Sequence, residues 1–119
     1  EEIVVTPRSA RTKIKFADVN TEYEFLTPFR RTHDRGNQIE VIHYSLSPRT
    51  WGSATAMLHP EAAECSVVLQ GVLEYHTETD VYRLEEGDCI YLPANTPHRL
   101  YNPSEQELHA IAMLSPAYF

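Results

Sequence analysis

"GDCIYLPANTPHRLYN", residues 87–102, holds a turn, a short apolar run, a proline-bounded corner and the start of a new strand. Gly87-Asp88 reads as the turn and 89–92 as a short buried strand, and Pro93 to Pro97 form a corner where missing N–H groups stop regular pairing. His98 then opens a strand on which Leu100 and Asn102 share its face, because strand side chains alternate sides. Upstream, "HPEAAECSVVLQG", residues 59–71, sets a histidine and a carboxylate around a break. His59 and Glu64 are five positions apart, which on an unbroken strand would point them to opposite faces. The interruption from Pro60 to Ala63 lets both turn inward. Gly71 reads as the tight turn of a hairpin whose returning strand is Val72-Leu73-Glu74-Tyr75.

Outward from these two stretches the chain is a succession of short strand-like runs separated by Pro, Gly, Asn, Asp and Ser. They span 12–16, 22–27, 38–47, 54–59, 64–70, 72–77, 81–84, 89–92, 98–101 and 107–114. The competing helical reading of 60–68 fails, because Ala-Ala followed by Cys-Ser-Val-Val-Leu sustains no 3.6-residue period. Many short strands without a convincing helix imply an all-β sandwich or barrel. Residues 1–11, polar and ending in Arg8-Ser9-Ala10-Arg11, read as a leader or linker remnant ahead of one domain at 12–119.

The 119 residues suffice for one core and leave no room for a second domain. Ten basic against seventeen acidic residues give a formal charge of −7, which disfavours direct contact with a phosphate backbone. The longest apolar runs, 67–69 and 110–114, fall far short of the roughly twenty residues of a membrane helix, so a soluble chain with no membrane partner is expected. Cys65 and Cys89 sit in apolar runs where a free thiol acts as a small buried hydrophobe, which suggests reduced thiols and the cytoplasm.

The two quoted stretches resemble the paired motifs of the cupin superfamily. Gly87, Pro93, His98 and Asn102 match the second motif, G-x5-P-x-G-x2-H-x3-N, at every spacing. Asn95 stands where glycine is usual; asparagine is the substitute best able to take a positive φ. In the first motif His59, Glu64 and Gly71 match the second histidine, the carboxylate and the glycine, while Met57 replaces the first histidine. The resemblance implies a small antiparallel jelly-roll barrel in which His59, Glu64 and His98 converge on a metal. Two imidazoles and one carboxylate leave open positions on iron(II) and also suit manganese, nickel or zinc. Met57 offers a soft thioether that such hard ions bind weakly. The alternative is that the three side chains persist as a hydrogen-bonded polar cluster lining a pocket.

Met57, Ser66, Val68 and Leu100 are the residues expected to line a ligand cavity, Ser66 and Val68 because they share the face of Glu64 and are small. His33, His43, His76 and His109 have no ligand-spaced neighbour and read as surface or satisfied strand residues. Thr50-Trp51-Gly52-Ser53 reads as a turn with a partly buried ring, and Glu85-Glu86, Glu105 and Glu107 as solvated turn residues.

A narrower likeness rests on "KIKFADVNTEYEFLTPFRR", "IEVIHYSLSP", "HPEAAECSVVLQGVLEY" and "AIAMLSPAYF", which resemble the C-terminal effector domains of bacterial Xre-type helix-turn-helix regulators. The resemblance implies a homodimeric sensor that takes a small-molecule effector into the barrel. It would reach DNA only through a helix-turn-helix domain not present in this chain. A free-standing metal-dependent dioxygenase or isomerase is the rival, and a structural, dimerising barrel the third reading. No further acid or base for an enzyme stands out.

Overall fold

Strict alternation of inward and outward side chains builds this molecule. A computed structural model describes residues 3–29 and 38–119. Among them are β1 (Thr12–Ile14), β2 (Glu22–Phe25), β3 (Glu40–Leu46), β4 (Thr50–Trp51) and β5 (Ala63–Gln70), then β6 (Leu73–His76), β7 (Val81–Leu84), β8 (Cys89–Leu92), β9 (Arg99–Asn102) and β10 (Leu108–Ser115). One 3₁₀ turn, Arg8–Ala10, is the helical element of the described residues, and it is exposed. His33 lies outside the described residues.

Two antiparallel sheets face each other, one ordered β1-β2-β3-β10-β5-β8 and the other β4-β9-β6-β7. In β3, every second residue from Glu40 to Leu46 is buried and the residues between are half-buried. β10 repeats the pattern through Leu108, Ala110, Ala112 and Leu114. Phe25, Ile42, Tyr44, Leu73, Tyr75 and Leu108, all nearly inaccessible, fill the space between the sheets. Each large side chain buried there stabilises the fold by about 1.5–3 kcal/mol relative to exposure. The all-β antiparallel barrel expected from the motifs is the fold found.

Several local expectations are corrected. Residues 54–59 form no regular strand: Met57 and His98 make one isolated bridge, exchanging N–H···O bonds of 2.7 and 2.9 Å. Ser53 explains the interruption, since its hydroxyl donates to Thr55 O at 2.6 Å and ties the backbone into a local turn that competes with a ladder. Conversely, Thr50–Trp51, read as a turn, pairs with β9, and the Trp51 ring packs 4.6 Å from Tyr101. Gly71 is not a hairpin turn. β5 pairs with β10 and β8, whereas β6 pairs with β7 and β9. Gly71 therefore carries the chain from one sheet to the other, at φ +88°, where a Cβ would sit 3.1 Å from Glu107 O. Both the backbone angle and that close approach require glycine.

The cysteines are free, with Cys65 half-buried and Cys89 exposed rather than both buried. Glu64 and Ser66 face inward, so Cys65 between them must face out.

After β10 the chain folds back over one mouth of the barrel. Glu40, 2% exposed, accepts the backbone N–H groups of Tyr118 and Phe119 at 3.1 and 3.0 Å. Burial raises the Glu40 carboxyl above its ordinary value, and these two N–H bonds only partly offset the rise. A carboxyl raised on folding contributes stability below its unfolded pKa of about 4.3, and that contribution is lost as pH climbs through the folded value. Glu40→Gln keeps an acceptor oxygen without the charge. It is expected to melt a few degrees higher than the parent at pH 7, with the advantage vanishing below about pH 4 in calorimetric scans across pH.

Candidate metal centre

His59, Glu64 and His98 come from a turn, the start of β5 and the residue before β9. The turn at Pro60 brings the first two together: Glu61 takes φ +65° and Ala62 N–H donates to His59 O at 3.3 Å, so the chain doubles back before β5. The corner before His98 is closed by Asn95, at φ +64° as its position at the glycine site implied. Asn95 N–H donates to His59 O at 3.3 Å, stitching the two motif segments together.

The outcome is a buried constellation in which each residue offers a ligand atom within 4.8 Å of the others. His59 Nε2 stands 3.1 Å and His98 Nε2 3.8 Å from Glu64 Oε1. Two donors sharing one ion through bonds of 2.0–2.2 Å stand about 3 Å or slightly more apart, a spacing His59 and Glu64 already have and His98 would reach by closing in about half an ångström. All three side chains are buried.

Proton positions follow from the partners. His98 Nδ1 lies 2.8 Å from Thr96 O, and a carbonyl only accepts, so Nδ1 carries the proton and Nε2 turns a lone pair toward Glu64. Burial lowers the His98 pKa below the ordinary imidazole value, against the opposing pull of Glu64 and the Thr96 carbonyl. His98 is thus a neutral donor. Burial alone would raise the Glu64 carboxyl, but His59, His98 and Tyr75 together outweigh it and hold the pKa below the usual range. His59 Nδ1 is the buried side-chain nitrogen or oxygen that lacks any hydrogen-bond partner among the described residues. The metal-facing nitrogen is Nε2, on the Glu64 side, so Nδ1 leaves the ring free to present either tautomer and does not itself point to the ion.

Glu64 divides its oxygens between two tasks. Oε1 faces the imidazoles, and Oε2 accepts from Tyr75 Oη at 2.5 Å and from Ser66 Oγ at 3.2 Å. Tyr75 Oη lies 2.7 Å from Ser66 Oγ, and Tyr44 Oη donates to Ser66 Oγ at 3.2 Å. Each hydroxyl has one proton to give: Tyr44 gives its proton to Ser66, and Ser66 and Tyr75 give theirs to Glu64. Burial pushes the tyrosines up, Tyr23 to about 12 and Tyr44 and Tyr75 further, so all three remain neutral donors. These residues fit a divalent metal: His59, Glu64 and His98 would hold it, with Tyr75 fixing the carboxylate that binds it. A metal there would act as a Lewis acid toward whatever occupied its remaining positions.

Met57 and Leu100 line the adjoining cavity, together with Tyr23, Tyr44, Tyr75 and Phe119. Ser66 and Val68 do not line it: Ser66 is spent in the hydroxyl chain. Met57 Sδ accepts from Tyr23 Oη at 3.9 Å. The cavity holds about 20 Å³, little more than one water. Its mouth is covered by the C-terminal segment, with the Tyr118 and Phe119 rings centred 4.8 and 5.9 Å from His59. Neither the tyrosine network nor this cover was read from the sequence. Tyr44 and Tyr75 fall on inward positions of their strands, a signal that alternation alone could have supplied. Asn102, which shares the second motif, is a staple instead: fully buried, it donates to Leu46 O, Ser47 O and Gln106 O.

Comparison with known proteins agrees with this fold. The Cupin_2 family, described as cupin domain, matches residues 43–114, a span that contains all three donors. Alginate biosynthesis protein AlgA of Pseudomonas putida is 31% identical over 85 residues, which is 71% of this chain and 17% of that protein. The chain therefore spans only a small part of the length of the curated relatives it matches. A predicted oxalate decarboxylase from Thermotoga maritima superposes with a TM-score of 0.74 at 17% identity, over 95% of this chain and 98% of that one. The Cupin_2 domain of an XRE family transcriptional regulator from Enterobacter cloacae superposes with a TM-score of 0.67 at 18% identity, over 82% and 98%. At these identities the superpositions show a shared fold.

Proposed function

The chain belongs to the cupin family, and on that premise we propose that it is the small-molecule-sensing domain of a bacterial transcriptional regulator, its effector held inside the barrel beside a divalent metal. The observation that carries this reading is the covered mouth. The cavity has room for little more than one water, so a larger effector displaces lining side chains, among them Phe119 of the C-terminal segment, and filling the interior rearranges a segment at the surface. That linkage between occupancy and outer conformation is what a sensor needs. No Lys or Arg lines the cavity among the described residues, so the effector is a largely uncharged molecule with one group able to reach the metal.

DNA contact belongs to an attached helix-turn-helix domain, since a net charge of −7 disfavours phosphate binding by this chain itself. The reduced thiols Cys65 and Cys89 accord with the cytoplasm, and no helix of the described residues is long and apolar enough to cross a membrane. Among the described residues β1 ends the larger sheet with an unpaired edge, which supports a homodimer formed there. Light scattering at micromolar concentration should give twice the monomer mass.

The second reading, a metal-dependent enzyme, is favoured by the donor set itself, because two histidines and one carboxylate leave positions for a substrate. One experiment separates the two. Metal-loaded protein is screened against small metabolites by thermal melting, beside a Phe119→Ala variant with an opened mouth. A true effector at one hundred times its Kd raises the melting temperature by on the order of 10 °C and is recovered unchanged. It should bind Phe119→Ala faster. Chemical conversion of the stabilising compound would overturn the sensor in favour of the enzyme.

A further inference from the structure

The outer face of the six-stranded sheet carries a second group of donors, on the side away from the barrel interior. His43 on β3 and His109 on β10 are diagonal neighbours, since His43 lies opposite Ile111 and His109 opposite Ser45. Their rings are nearly parallel, 11° apart in plane, and His43 Nε2 stands 3.0 Å from His109 Nδ1. Each ring also has a carboxylate on its far nitrogen. His43 Nδ1 is 3.3 Å from Glu24 Oε1, and His109 Nε2 is 2.7 Å from Glu107 Oε1. Glu24 is held in place as the direct cross-strand neighbour of His43 on β2. The side chains are partly accessible, 17% for His43 and 29% for His109.

Counting protons shows why this row is suited to a cation. Three contacts in line, Glu24 to His43, His43 to His109 and His109 to Glu107, each need one proton if both carboxylates are ionised. Two neutral imidazoles supply two. When the outer protons go to the carboxylates, as charge favours, the inner nitrogens turn lone pairs toward each other with nothing between. Arg11 adds a positive charge nearby.

We propose that this gap is a binding site for a late first-row divalent metal ion such as Ni(II), Cu(II) or Zn(II), ligated by His43 Nε2 and His109 Nδ1. Two nitrogens bound at 2.0–2.1 Å on adjacent positions of one ion stand about 3 Å apart, the spacing already present. The rings need only tilt about 40° from the line joining the nitrogens, within the broad torsional range of a histidine ring. Glu24 and Glu107 then act as the outer partners that fix each imidazole and raise its basicity. Imidazole donors select these ions over calcium or magnesium. Arg11 works against the site, and so does Lys13, which lies opposite Glu24 in the strand register; the two carboxylates balance them.

The test uses the full chain carrying His98→Ala, so that the barrel interior contributes nothing, titrated calorimetrically with Ni(II) alone. One saturable equivalent is expected. Adding His43→Gln or His109→Gln, which keep a hydrogen-bonding side chain of similar reach, should weaken that binding at least tenfold while the melting curve stays in place. Glu107→Gln, removing only an outer partner, should weaken it about 10-fold or more. Absence of the equivalent in the His98→Ala protein, or its persistence at full affinity in the His43→Gln and His109→Gln proteins, would overturn the assignment. The interior site stands or falls separately, on the effect of His98→Ala itself.

Discussion

His98→Ala removes metal from the barrel interior, from about one equivalent to a trace, when measured by elemental analysis in a His43→Gln background that silences the outer face. The loss should exceed the 10–100-fold penalty typical of removing an outer partner, because a directly ligating nitrogen is gone. Glu64→Gln gives the same result by another route. It keeps the shape and still accepts from Tyr75, but removes the negative charge that His59 and His98 face at 3.1 and 3.8 Å. Met57→His works in the opposite direction. Residue 57 is already locked to His98 by a reciprocal pair of backbone hydrogen bonds and lines the cavity, so an imidazole there would add a donor to the set. Tighter binding by about tenfold is expected from exchanging a soft thioether for an imidazole. Undiminished metal in His98→Ala would show that the three side chains are a polar cluster only.

The interior site was legible because its cause is local. A proline beside His59, a carboxylate five residues on, and a proline-bounded corner ending in His98 each fix a backbone turn, and asparagine at the glycine position kept the left-handed angle that the corner needs. The succession of short apolar runs set off by Pro, Gly, Asn, Asp and Ser likewise pointed to an all-β fold. What escaped depends on contacts between segments far apart in the chain. His43 and His109 looked isolated because nothing near either one announces the other; only the antiparallel register of β3 and β10 makes them neighbours. Gly71 looked like a hairpin turn because a glycine between two apolar runs reads the same whether the second run pairs back or crosses to another sheet. The cover of Tyr118 and Phe119 is set by a buried carboxylate at Glu40, 78 and 79 residues away in the chain. Cys65 and Cys89 were misplaced for a simpler reason: runs of apolar residues hide the period of two, and the inward Glu64 and Ser66 were the better guide.

Tyr75→Phe is expected to weaken interior metal binding by about 10–100-fold although the ring touches no ion, as removing an outer hydrogen-bond partner does elsewhere. Tyr75 is fully buried, and its hydroxyl donates to Glu64 Oε2 at 2.5 Å. Without that donor Oε2 keeps only the longer contact from Ser66, at 3.2 Å, and the carboxylate is freer to rotate Oε1 away from the imidazoles. A hydrogen bond to a charged group is worth about 1.5–3 kcal/mol, so the metal-free protein should lose stability of that order in urea titrations. The same deletion at the other two hydroxyls tells positioning from packing. Ser66→Ala removes a direct but weaker donor and should cost less than Tyr75→Phe, and Tyr44→Phe, which reaches Glu64 only through Ser66, should cost least. A purely structural network would lower stability in all three while leaving the affinity for metal unchanged; a graded loss of affinity, largest at Tyr75, requires that the hydroxyl chain aims Glu64 at the ion.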